Sequence, residues 1–559
     1  MKAWLGLGCA VLLAAGCGDD VAPSAADSGT STGGDIDTES DSDDPPAQPI
    51  DPAAVPTPKA GRLTDVQYRH TVLDVLGVAL TDEDLEALPA DIPTGRDYST
   101  TLEPQFFNSN YVLAYAELAR IASAQLDPDA LVSQYGGCAQ LDPSCREDLV
   151  SGLGQRLFRR PLTDQESTRY LDLAVAIAQA DQTDETHVVR GIVQAMMQAP
   201  QFLYRIERET DGTAGELRTI DGYELATRLS YFLWQSAPDA ALLEFAAGPA
   251  GDGVFDEDAV APQIERMIAD GKFVRARTLF WGDYTMAVRS TFGTSDTALS
   301  DALRSSLLAT LDRISGSQGQ PQPLSELFDA RQLVMTPAVA ELAGATPIGD
   351  GLQVYDVADT VERLGVVTHP AFLASIGTTS FVGRGLFLSE RLLCQHVAEP
   401  PPEVEDEIES TAQATSDMTP REASEFRFGL EAVCRGCHTQ FEPVAYAFER
   451  YDMLGRHSAT DDQGRPLYSD GLLPAFGDRP EISFHDARQL LASLAGVDAV
   501  YGCLVENMTQ FGTGLPVNLR GDFHDLATST FIDEGRTFDA LARAIANSEQ
   551  RTLLRVVEP

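Results

Sequence analysis

The sequence predicts a mostly α-helical body made of several modules. Three observations carry this. Apolar residues recur at helical spacing, and the strict alternation of a half-buried strand is rare. Capping boxes stand where helices should open: Thr64 with Gln67, ahead of a run through Leu76 that Gly77 ends, and Asp221 with Glu224, ahead of Leu225 to Trp234. Breaker-rich segments divide the periodic stretches, at 286–298, at 458–483, and at Pro400-Pro401-Pro402 with the acidic run Glu403 to Glu409. Further helices are expected at 110–126, 163–180, 186–199, 259–285, 299–315, 381–393, 421–433, 484–494 and 535–556. No period of 20–50 residues repeats, so a solenoid is not expected. The expected modules are 61–130, 138–210, 215–345, 361–460 and 484–559.

The N-terminus predicts export. Lys2 precedes an apolar run, Ala3 to Gly16, of about fourteen residues, short of the roughly twenty a bilayer needs but suited to a signal segment. Leu13-Ala14-Ala15-Gly16-Cys17 resembles a bacterial lipobox, in which Cys17 is acylated; residues 1–17 are then signal and anchor. The alternative is an ordinary secretory signal with an incidental Cys17. Residues 18–60 carry no aromatic side chain and one cation, Lys59, among many Asp, Ser, Gly, Thr, Ala and Pro. Such a segment cannot bury enough apolar surface to offset chain entropy and is expected to be a disordered acidic leash. Calcium binding at Asp35 to Asp44 is a second use of these charges, behind repulsion and solvation. The expected location is the cell envelope, on its extracytoplasmic side (periplasm, outer membrane or cell surface), with contact to the membrane through the lipid alone. The formal net charge of −45 argues against nucleic-acid binding, which needs cationic surface, and suits a basic partner.

The remaining cysteines divide by spacing. Cys138 and Cys145 enclose a short Pro- and Asp-containing loop, which in an exported protein favours a local disulfide. Cys394 and Cys503 are left as a long-range pair, or else as two buried thiols. Cys434-Arg435-Gly436-Cys437-His438 carries the chemistry. Two thiols three residues apart can each form a thioether to a haem vinyl group, and the histidine that follows is directed at the iron, so one covalent haem c is expected. A zinc site, a thioredoxin-like redox pair and a plain disulfide compete. The first lacks a second CxxC or an HxxxH, and the second lacks a βαβ context. Met453, fifteen residues past His438, is the nearest candidate for a sixth iron ligand; His457, Met418, Met508, His485 and His396 are others. Arg456 suits a haem propionate, with Glu449 and Asp452 placed to orient it. The bland alternative is a solvated face and a turn at Gly455.

Five stretches then carry a resemblance: Arg62-Leu63-Thr64 to Tyr68 with Leu73 to Gly77; Phe158-Arg159-Arg160-Pro161-Leu162-Thr163; Pro200-Gln201-Phe202-Leu203-Tyr204-Arg205; Arg228-Leu229-Ser230-Tyr231-Phe232-Leu233-Trp234; and Gly383-Arg384-Gly385 through Cys394 into the haem motif and on to Arg456. The chain resembles the large exported cytochrome c-domain proteins of planctomycetes and myxobacteria, built from successive modules of unknown function. The resemblance implies a cytochrome c-like helical haem domain over 361–460 flanked by helical modules, and no activity beyond haem binding and electron transfer. The chain departs from the family pattern twice. Glu442-Pro443-Val444-Ala445 stands where the family has Asp-Pro and a glycine two residues on. Phe426-Arg427-Phe428 stands where a histidine often precedes the motif.

The leading functional reading is a lipid-anchored cytochrome exchanging electrons with an exported redox partner protein. A haem oxidoreductase acting on peroxide or an organic substrate, and a surface binding module with a structural haem, are the alternatives. The sequence assigns no catalytic residue; Arg159-Arg160, Trp234 and Asp239 read as structural anchors.

Overall fold

Thr64 accepts the amide of Gln67 while the Gln67 side chain accepts the amide of Thr64. The first helix, α1 (Asp65–Leu76), thus opens on the capping box its sequence spells, and Gly77 closes it in the left-handed region at φ 70°. The computed structural model describes residues 60–88, 98–101, 108–180, 185–207, 217–251, 253–316, 320–357, 362–397, 405–430, 432–477, 479–514, 522–548 and 553–555. Cys17, the apolar leader and residues 18–59 of the leash lie outside them. The body is mostly α-helical, with strands only as short antiparallel pairs among the described residues.

Two apolar cores organise it. The first gathers α1 with α2 (Ser109–Gln125), α3 (Pro143–Phe158), α4 (Asp164–Ala180) and α5 (Glu185–Met197) around Tyr68, Leu118, Leu149, Ile192, Met196 and Phe202. β1 (Ala60–Arg62) pairs antiparallel with β2 (Tyr204–Ile206) and ties the ends of this region together. Cys138 and Cys145 form a disulfide at the start of α3. At its end Arg159 takes a left-handed backbone (φ 62°), and its buried guanidinium donates to the carbonyls of Gln201, Phe202 and Tyr204. The Arg-Arg-Pro-Leu-Thr and Pro-Gln-Phe-Leu-Tyr-Arg stretches are therefore the two halves of one clamp. Arg160 forks onto Glu166 at 2.8 Å.

The second core is continuous from Ile220 to Ala546. It holds α6 (Gly222–Leu233), opened by the Asp221–Glu224 capping box, then α7 (Val260–Ala269), α8 (Phe273–Tyr284) and α9 (Thr297–Ile314). It continues with α10 (Phe381–Leu393), α11 (Pro420–Phe428), α12 (Ala432–Tyr446), α13 (Asp498–Thr513), α14 (Asp522–Asp533) and α15 (Phe538–Ala546). β3 (Leu217–Thr219), β4 (Gln332–Met335), β5 (Gln353–Asp356), β6 (Gly471–Leu473), β7 (Ile482–Phe484) and β8 (Leu553–Arg555) pair as β3–β8, β4–β5 and β6–β7. Trp234 donates its indole N–H to Met267, and Asp239 pairs with Arg266 at 2.7 Å, so both are packing anchors. One segment of the N-terminal region crosses over. Tyr98 is fully buried between Phe280 and Phe511 and donates to Asn507 at 2.7 Å, while Ser99 donates to Asp283 and Thr100 to the carbonyl of Phe511.

The expected helix 259–285 breaks at Asp270, whose carboxylate caps Lys272 and restarts the chain as α8. The expected 421–433 helix stops at Phe428 and a new one begins at Ala432, carrying the cysteine motif through to Tyr446. The 458–483 loop contains β6, and the 535–556 run ends as β8. Among the described residues no single helix is long and apolar enough to cross a membrane.

Cys394, in left-handed conformation at the C-terminus of α10, is bonded to Cys503 of α13. The bridge closes 109 residues of chain and ties the helix behind α12 to the C-terminal helices. Replacing both cysteines by serine is expected to lower stability by about 2–5 kcal/mol. A denaturation midpoint equal to that of the unmodified protein contradicts this.

Candidate functional site

Residues three and four apart on a helix are neighbours, so α12 sets Cys434, Cys437 and His438 on one face. Both thiols stand outside the disulfides; Cys434 is half-buried and Cys437 exposed. A side chain on Gly436 would meet nothing within 4 Å among the described residues. There, too, no three His, Cys, Asp or Glu side chains converge on one point as a metal site. The motif is thus a face with two nucleophilic sulfurs and one imidazole.

The imidazole is held from behind. Glu442, one turn further along α12, places Oε1 2.7 Å from His438 Nδ1. Its carboxylate is wholly buried, and Arg427 from α11 donates to it through Nε at 2.6 Å and Nη2 at 3.0 Å. Burial pushes the Glu442 carboxyl up, but the hydrogen bonds from His438, Arg427 and Ser424 outweigh it and hold the group below the usual carboxylate range. An ionised carboxylate only accepts. His438 therefore carries its proton on Nδ1, and its Nε2 lone pair is left for a ligand. Phe441 packs on the ring at 5.2 Å. A metal-binding histidine is oriented in this way, and the two thiols beside it match the thioether chemistry, so these residues fit a covalent haem.

The helix itself is clamped. A side chain on Gly385 of α10 would lie 2.4 Å from the carbonyl oxygen of Phe441, so the two helices touch backbone to backbone at glycine. Next to it Arg384, fully buried, donates to the carbonyls of Thr378, Phe448, Tyr451 and Asp452. Burial lowers its pKa to about 10, which leaves it charged at neutral pH. Arg363 does the same for the next turn, donating to Leu342, Ala343, Thr368 and Gly455.

The other expected site residues are dispersed. Arg456 is exposed and pairs with Asp452 at 3.4 Å, within the turn that Asp452 Oδ1 closes onto the amides of Leu454 and Arg456. Glu449 faces Arg421 instead, at 3.3 Å. Met453 is partly exposed, and its sulfur lies against Gly293 of the 286–298 loop. Met508 is buried in the second core, Met418 is half-buried, and His485 is exposed. His396 pairs with Glu506 at 2.9 Å, and His457 lies beside Glu362 at 3.7 Å. In the sequence Glu442 stands out only as a departure from the pattern of the proteins the chain resembles. Its spacing of four from His438 was the available signal. Arg427 had no such signal, because it arrives from another helix.

Against this geometry, three families match the chain. PSCyt3, a protein of unknown function (DUF1588), matches residues 363–461, which begin at the buried Arg363 and contain α10 to α12 with the whole cysteine motif. PSD5 (DUF1595) matches 145–207 and PSD4 (DUF1592) matches 220–344, both also of unknown function. All three matched segments are modules of the planctomycete cytochrome c-type multi-module kind, of unknown function. The PSD5 match covers the Arg159 clamp, and the PSD4 match covers Tyr231 and Trp234, so the recognisable residues of both are packing residues. The PSCyt3 match, whose name points to a cytochrome c-like domain, is among the described residues the one that presents unbridged cysteines. No curated protein and no solved structure matches the chain.

Proposed function

We propose that this protein is an exported, lipid-anchored carrier of one haem c that exchanges electrons with an extracytoplasmic partner protein. The observation that carries the reading is His438, locked through Nδ1 by a buried carboxylate with Nε2 left over, beside two unbridged thiols on the same helical face. Cys434 and Cys437 hold the group, His438 ligates it, and Arg456 is our candidate partner for a propionate. The haem supplies a one-electron couple; α12, packed on Gly385 and followed by the turn that Arg384 holds, supplies a rigid mount. Cys17 supplies the anchor and the acidic leash the reach.

A second reading, a haem oxidoreductase with an open iron position, is favoured by Met453 resting on Gly293. Met453→Ala separates the two. As the sixth ligand, Met453 gives a low-spin ferrous protein that binds carbon monoxide slowly, and its loss lowers the potential and speeds binding. High-spin iron and rapid carbon monoxide binding before any substitution, with peroxide turnover, select the oxidoreductase.

The anchor has its own test. Cys17→Ala is expected to release the protein from membranes or to leave an uncleaved precursor. A cleaved Cys17→Ala protein that still partitions with membranes removes the lipoprotein reading.

A further inference from the structure

We infer that Glu442 is a positioning residue that sets the redox poise of this site: by accepting the Nδ1 proton of His438 it makes the imidazole a stronger electron donor through Nε2, and so lowers the reduction potential. The inference rests on the haem reading above and adds what this chain's own residues do to it.

The geometry makes three points. The acceptor is a full negative charge at 2.7 Å, and a charged acceptor gives a hydrogen bond roughly twice as strong as a neutral one. The carboxylate has no solvent exposure, so water does not compete for its lone pairs and the surrounding dielectric is low. Finally, the carboxylate cannot turn away. Arg427 grips both oxygens from α11, and α11 is itself fixed by the Thr419–Glu422 capping box and Pro420 at its first turn. Arg427 also sets a guanidinium counter-charge directly against the buried carboxylate. A more basic ligand stabilises ferric over ferrous iron, and hydrogen bonding behind the ligand is one of the levers by which a protein moves a haem potential.

The test uses the holoprotein matured with haem. Glu442→Gln keeps the shape and removes the charge. At a fixed ambient potential its ferric-to-ferrous ratio is expected to fall about tenfold, an upward shift of ~59 mV for a one-electron couple. Glu442→Asp keeps the charge and should stay nearer the unmutated value. A purely structural glutamate would weaken folding in both variants without this ordering, and equal potentials in all three proteins overturn the proposal. If the glutamine variant fails to fold, the unmutated protein still decides. After photolysis of its carbon monoxide adduct, the iron–histidine stretch should lie above that of a ligand bonded to a neutral acceptor, and an ordinary frequency overturns the inference. An unmutated chain that matures without covalent haem overturns the underlying reading instead.

Discussion

Expressed with a cytochrome c maturation system, the protein is expected to carry a haem that survives denaturing electrophoresis and acid–acetone extraction, and the Cys434→Ser, Cys437→Ser double variant to lose it entirely. The effect is all or none because thioether bonds are covalent, whereas a ligand held only by iron coordination and packing leaves with the fold. Each cysteine alone gives one attachment, so Cys437→Ser should retain weakened staining. His438→Ala removes the imidazole that Glu442 holds through Nδ1, and should abolish the normal ferric spectrum. Absence of a haem-stained band from matured, unmutated protein rules out the covalent haem.

Arg384→Met is expected to cost about 3–5 kcal/mol of stability, among the largest effects available to a single substitution outside the haem motif. Four buried carbonyls, on Thr378, Phe448, Tyr451 and Asp452, lose their donor together. Each buried group left unsatisfied costs about 1–3 kcal/mol, and relaxation recovers part of the sum. Lysine should rescue little, because its compact ammonium cannot span the directions that the planar guanidinium covers. Hydrogen exchange should rise first in 446–456, the stretch Arg384 holds. Unchanged exchange there, with an unchanged unfolding midpoint, contradicts the clamp.

What the sequence disclosed follows the range of each interaction. The capping boxes at Thr64 and Asp221 were readable because donor and acceptor lie three residues apart, and the haem motif because its chemistry is contiguous. The sequence does not announce α3 or α14. α3 carries internal glycines and polar residues that weaken the helical pattern, and burial against neighbouring helices overrides that local preference. The expected helix at 421–433 was placed across the Gly429 break and stopped at the motif it should have contained. At the site, His438 was legible and its supports were not. Arg427 comes from the preceding helix, and Arg384 from more than fifty residues upstream. A buried arginine in a largely apolar helix gives no sign of which carbonyls it will serve. Tyr98 is the extreme case, a residue of the N-terminal region that completes a core formed some 180 to 410 residues later.

The placement of Tyr98 bears on how such chains are assembled in evolution. The segments matched as PSD5, PSD4 and PSCyt3 are recognised as separate families, yet none coincides with a unit of packing. The first core borrows Tyr231 from the PSD4 segment, the second takes Tyr98 from ahead of PSD5, and PSD4 and PSCyt3 share one interior that runs on to Ala546. A segment shuffled into a new chain would arrive with an open aromatic socket and half an interior. Exchange of these modules therefore succeeds only between hosts that already supply the complementary half, which favours their travelling together as a fixed series.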